Sequence, residues 1–195
     1  MKHLALLTAA ALALTGTALG QSTIVGSDHD FSSTFGGGQI CVPCHTPHNA
    51  YPYGAGNTVK RVLWNHQETT QTFTMYVTLD GHSGTPDGTS LLCLSCHDGV
   101  TAMDNYGGNT GGSNVMTGGA VVGTDLSNDH PIGIEYPAAD PDYQATPLNG
   151  LPLFNDGTKD RVECATCHDP HGAGFGDFLR DTTGGSQICL DCHDI

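Results

Sequence analysis

The chain has little positive charge. Six Lys and Arg stand against 20 Asp and Glu, giving a formal net charge of −14. That balance argues against nucleic acid and anionic membrane surfaces as partners. The acids are scattered rather than clustered, so the excess reads as a source of solubility before it reads as a cation site. Aromatic residues make up 7% and charged residues 13% of the sequence, both low, while 27 of 195 residues are Gly. Such a composition supplies few large side chains for an ordinary apolar core and implies long loops. Long apolar runs are missing too. The stretch Leu4 to Leu14 is too short to cross a bilayer and nothing later is longer and as apolar, so no membrane span is expected. Finally, no cysteine lies outside four short segments, which excludes a scattered disulfide framework.

Those segments are Cys41-Val42-Pro43-Cys44-His45, Cys93-Leu94-Ser95-Cys96-His97, Cys164-Ala165-Thr166-Cys167-His168 and Cys189-Leu190-Asp191-Cys192-His193. C-x-x-C-H is the attachment signature of c-type haem. The spacing follows from the chemistry. Two thiols, at the first and fourth positions, reach the two vinyl groups of one ring, and the next residue sits under the iron as its proximal ligand. A zinc reading gives no reason for a His after every second Cys. A thioredoxin-like dithiol accounts for one motif, not four. Four covalent haem c groups are therefore expected. They would be held by Cys41, Cys44, Cys93, Cys96, Cys164, Cys167, Cys189 and Cys192, with proximal iron ligands His45, His97, His168 and His193. Their flat apolar surfaces would supply the core that the composition does not.

Met1-Lys2-His3, the following apolar run and the small residues around Ala18-Leu19-Gly20 form an export signal, with cleavage expected before Gln21. Residues 1–20 are then the signal peptide and 21–195 a single tetrahaem domain, since ~175 mature residues usually make one domain. Export agrees with haem c, which is attached outside the cytoplasm. No lipid-attachment Cys follows the cleavage site.

The expected fold is mostly irregular coil, with short helices around the motifs and few short strands. Residues 21–40 form a polar, Gly-rich, extended arm carrying His29. Residues 50–62 are loop. Thr72 to Leu79 alternates polar and apolar residues and predicts a short strand. Gly99 to Gly123 reads as irregular loop. Four Pro between 135 and 160 exclude a long helix there. An internal echo links Gly36 to His45 with Gly184 to His193, and His45-Thr46-Pro47-His48 with His168-Asp169-Pro170-His171. Cys189 follows Cys164 by only 25 residues, so the third and fourth haems should be neighbours.

Each iron needs a second axial ligand or stays open for chemistry. After loss of Met1, Met75, Met103 and Met116 remain for four sites, whereas six mature His lie outside the motifs, which argues for His on both faces. His48 and His171 each stand three residues after a proximal His. They cannot wrap round to the far face of that same haem but can reach a neighbour's iron. His130 sits in a turn before Pro131, His66 ends the apolar patch Val62-Leu63-Trp64-Asn65-His66, and His29 lies in the arm. These five are the distal candidates. His82, in Gly81-His82-Ser83-Gly84, reads as an exposed loop residue. His29, on a terminal arm, could also serve the next molecule. With every iron doubly ligated no position is left for substrate, so an enzyme such as a nitrite reductase is not expected.

The export signal, the four motifs and the segments HTPHN, HDPHG, LWNH, CLSCHDG and DHPIG together resemble the small tetrahaem members of the paired-CxxCH multihaem cytochromes. Within that class the chain is most similar to the OmcE-like cytochromes. The resemblance implies stacked bis-His haems and head-to-tail polymerisation into an extracellular filament for long-range electron transfer. It also implies redox partner cytochromes or extracellular acceptors, and a His supplied across the subunit interface. Head-to-tail contacts that do not close give open fibres. The other reading of the same residues is a monomeric electron shuttle in the periplasm.

Overall fold

The computed structural model describes residues 23–48, 50, 63–79, 82–172 and 174–194. The export segment at 1–20 and nearly all of loop 50–62 lie outside them. Most of the described chain is coil, turn or bend. Among the described residues α-helix is confined to α1 (Gly88–His97), α2 (Cys164–Cys167) and α3 (Gln187–Leu190). Each carries all or part of a haem motif.

The best-formed helix is α1. Asp87 caps it, its carboxylate accepting the Gly88 N–H at 2.7 Å. Leu94, Ser90 and Ser95 are buried along it. The first motif differs. It closes one turn, with His45 N–H donating to the Cys41 carbonyl at 2.7 Å, and no helix follows because Thr46 N–H turns to the Leu63 carbonyl at 2.9 Å.

A regularity runs through all four motifs. The residue before the second Cys is fully buried in each: Pro43, Ser95, Thr166 and Asp191. Helical geometry explains it. At about 100° per residue, motif positions one, four and five share a face and position three points the opposite way. The thiols and the His thus face the cofactor side, and the third residue anchors the turn in the protein.

The strands are two or three residues long. β1 (Thr74–Met75) pairs in parallel with β2 (Asp125–Leu126), Thr74 opposite Asp125. β3 (Ile134–Glu135), β4 (Phe154–Asn155) and β5 (Asp160–Val162) form an antiparallel sheet in the order β3-β5-β4. The strand expected over 72–79 thus shrinks to two residues. Beyond it Val77 and Leu79 are exposed, so the alternation has no core to face. The arm is turned rather than extended. Asp30 accepts the Ser32 N–H at 3.1 Å, and a 3-10 turn at Phe31–Ser33 is followed by Gly36 N–H donating back to the Phe31 carbonyl at 2.7 Å.

The buried apolar side chains are few: Trp64, Leu94, Ala102, Leu126, Tyr136, Leu151, Val162 and Ala165 among the described residues. Backbone meets backbone closely where DHPIG packs. A Cβ on Gly84 would lie 2.5 Å from the Ile132 carbonyl oxygen, and one on Gly133 would lie 2.0 Å from that of Thr85. This contact sets the position of the segment that carries His130.

Candidate haem sites

Three proximal His each face a second His. His97 and His29 have ring centres 6.2 Å apart, His45 and His171 are 6.0 Å apart, and His193 and His130 are 6.4 Å apart. Two imidazoles that bind one metal from opposite sides, at ~2 Å per bond and ~1 Å more to each ring centre, stand ~6 Å apart. The spacing therefore fits one iron between each pair. The ring planes cross at 81° in the His29 pair and 76° in the His130 pair, but at 19° in the His171 pair.

The ring nitrogens are oriented for this role. A ligating imidazole normally donates its other N–H to a carbonyl or carboxylate. Nδ1 of His97 donates to the Ala120 carbonyl at 2.8 Å, and that of His168 to the Asp177 carbonyl at 2.7 Å. Nδ1 of His130 faces the Pro131 carbonyl at 3.0 Å, and that of His29 the Pro170 carbonyl at 3.3 Å. Nδ1 of His171 lies 3.5 Å from the Asp169 carboxylate. In each case Nε2 is left for a metal. Burial holds His29 and His130 below the usual imidazole range, so both keep a free lone pair at neutral pH.

His66 is different. It is 1% exposed, and no proximal His faces it among the described residues. Its Nδ1 contacts the Gln67 carbonyl at 2.7 Å, while Nε2 faces the Ala102 carbonyl at 3.1 Å and Cys96 Sγ at 3.6 Å. Both nitrogens face protein groups, and the ring is not set opposite a proximal His as the other three are. Its apolar patch packs inward as expected; the ring does not turn outward. His48 and His82 are exposed. No second His faces His168 among the described residues.

The thiols lie in sequence order. Cys44 lies close enough to Cys96 to influence its ionisation, Cys93 hydrogen-bonds Cys164, and Cys167 is likewise near Cys192 and Cys189. The first motif therefore adjoins the second, the second the third, and the third the fourth. None of the eight thiols is in a disulfide. Burial, helped by neighbouring thiols, pushes Cys44 up to about 11 and Cys167 up to about 11. A redox dithiol needs the opposite shift, towards thiolate. Cys164 does shift that way, to about 7, but through a hydrogen bond with Cys93 of another motif and not with its own partner Cys167. Nor do the motifs gather into zinc sites: among the described residues no group of three or more His, Cys, Asp or Glu could hold a metal ion.

Several supporting residues carry no signal in a motif scan. Phe178 stacks on His29 with ring centres 4.5 Å apart, and Tyr143 lies 4.7 Å from His193. Asp177 and Phe178 hold φ of 54° and 57°, a left-handed pair without Gly. Each such residue costs on the order of 1 kcal/mol or more. The twist aims the Asp177 carbonyl at His168 and the Phe178 ring at His29. Aromatic residues set in a Gly-rich stretch were the available hint.

Comparison with known proteins agrees with the geometry. A family described as the doubled CXXCH motif matches residues 157–195, which contain the third and fourth motifs. No curated protein matches the chain. The doubled motif supports placing the chain with the multihaem c-type cytochromes. Covalent haem c and haem-based electron transfer go with that placement. No helix among the described residues is long and apolar enough to cross a membrane.

Proposed function

We propose that this chain is an exported tetrahaem electron carrier, not an enzyme, and that copies of it join into an extracellular filament conducting electrons over long distances. When bound, haem iron supplies a one-electron couple. The chain's own part is to hold both axial positions and so deny them to substrate. The three His pairs at 6.0–6.4 Å carry this reading.

The fourth pair follows by symmetry of sequence. His171 stands three residues after His168 and crosses to His45. His48 stands three residues after His45, and the reciprocal crossing would bring it to His168. The full set is then His29 with His97, His171 with His45, His130 with His193, and His48 with His168. His66 and His82 stay outside it.

The sequential run of the four motifs supports conduction, because electrons entering beside one end motif can leave beside the other. The resemblance to OmcE-like cytochromes supports polymerisation, as do the exposed apolar side chains Val77, Leu79 and Val100. The acid-rich surface without a charge cluster gives a soluble shuttle no obvious docking patch. Electron microscopy of material sheared from expressing cells, with haem stain on the same fraction, tests the assembly. Uniform haem-positive filaments are expected. Monodisperse haem-loaded monomers would leave the periplasmic shuttle as the function.

A further inference from the structure

Electron passage leaves unused a buried acid that lies between two motifs. Glu163 is 2% exposed and directly precedes Cys164, where α2 packs against α1. Its Oε2 is buried with no hydrogen-bond partner. The carboxyl accepts the Thr166 N–H as the cap of α2, and the Ser90 hydroxyl and the Asp87 N–H lie close enough to favour its ionised form. Ser90, fully buried, also accepts the Cys164 N–H at 2.9 Å. Acid, hydroxyl and motif backbone thus form one short chain. The Cys93 and Cys164 thiols meet beside it. Glu163 therefore occupies the junction of the second and third motifs.

Burial is the dominant influence on this carboxyl and, against the Ser90 bond, pushes it up to about 8. The titratable groups facing it are Cys164 on its own element and Asp87 from the cap of α1. Beyond Cys164 stand Cys93 of α1 and Asp129 from the segment before His130. None is a cation. Thioether formation removes the thiol charges and leaves burial and Asp87 in place.

We propose that Glu163 is a proton-binding site coupled to the electron occupancy of the adjoining redox centres, a role that rests on the haem reading above. A buried carboxyl gains proton affinity when a neighbouring centre loses positive charge. As one electron arrives from an external one-electron donor, Glu163 takes one proton from solvent and forms an O–H bond at Oε2. As the electron leaves, that bond breaks and the proton returns. The junction keeps its net charge as each electron passes.

The test is a spectroelectrochemical titration of the purified holoprotein at a series of pH values spanning about 8. Wild type and Glu163→Gln, which keeps the size and the acceptor oxygen, are compared after haem content has been measured. In wild type one midpoint potential falls as pH rises. A tenfold difference in proton affinity between the two redox states corresponds to ~59 mV. In the variant that potential no longer depends on pH. On reduction of wild type near pH 8, infrared difference spectra gain a protonated-carboxyl band that the variant lacks. An unchanged pH profile in the variant, or no such band in wild type, overturns the proposal. If the variant does not mature, the wild-type infrared result decides alone. Absence of haem would overturn the function itself, whereas haem with pH-independent potentials would overturn only this coupling.

Discussion

Two short segments, 63–66 and 128–131, look alike in the sequence. Each carries a His among residues that could pack on a haem face, and each makes a reasonable distal candidate. The structure separates them. His130 stands with its ring centre 6.4 Å from that of His193, and its Nδ1 is on the Pro131 carbonyl. His66 turns Nε2 to the Ala102 carbonyl and Cys96 Sγ. Burial does not distinguish the two roles, since it holds both rings neutral. What distinguishes them is which nitrogen the protein leaves unclaimed. An axial ligand needs one nitrogen held by the protein and the other turned to the metal; in His66 both nitrogens face protein groups.

The sharpest way to break this contrast is to truncate both. His130→Ala should convert one haem from low-spin to high-spin and let it bind carbon monoxide, read by optical spectra of the reduced protein. His66→Ala should leave every haem low-spin. If His66→Ala also opens a haem, the distinction between the two histidines fails. A milder change at the first site, His130→Met, keeps six-coordination and should raise the potential of that haem, because Met is the weaker donor.

The cost at the second site is stability. His66→Ala removes a fully buried ring and leaves without a donor whichever of the Gln67 and Ala102 carbonyls its single N–H serves, for a loss of about 2–3 kcal/mol in denaturant titration. A smaller effect is expected at Asp104, which ties the loop between the two segments. Burial opposes its ionisation, but hydrogen bonds from the Asn114 N–H at 3.0 Å, the Asn114 side-chain amide at 2.8 Å and the Ser113 N–H at 3.4 Å outweigh it and hold the carboxyl low. With a folded value below the unfolded one, its stabilisation is complete above the ordinary Asp value of about 3.9 and is lost as pH falls through the folded value. Asp104→Asn should cost about 1 kcal/mol near neutral pH, since the site is close to solvent, and the difference from wild type should vanish in acid.

The turn formed by each motif was legible in the residues. C-x-x-C-H fits one helical turn, and so few aromatic residues and so many Gly agree with the short helices and narrow sheets of the described residues. The crossing of His171 to another motif's His was legible from its three-residue offset. The inward turn of His66 was not, because it depends on the Ala102 carbonyl, which lies 36 residues away in sequence. The folding back of the arm was also hidden. It rests on the Phe178 ring and the Pro170 carbonyl, both far along the chain from His29. The burial of Pro43, Ser95, Thr166 and Asp191, by contrast, follows from helical geometry once the motif is set on one turn.

The most direct test of the paired-histidine account is electron paramagnetic resonance of the fully oxidised holoprotein. Near-perpendicular imidazole planes give highly anisotropic low-spin signals, and near-parallel planes give ordinary rhombic ones. With planes crossing at 81° and 76° in two pairs and 19° in the third, both kinds of signal should appear together, with no high-spin component. His171→Ala should remove a rhombic signal, and His29→Ala an anisotropic one. A substantial high-spin signal in the wild-type protein, or a single uniform rhombic species, would contradict the account.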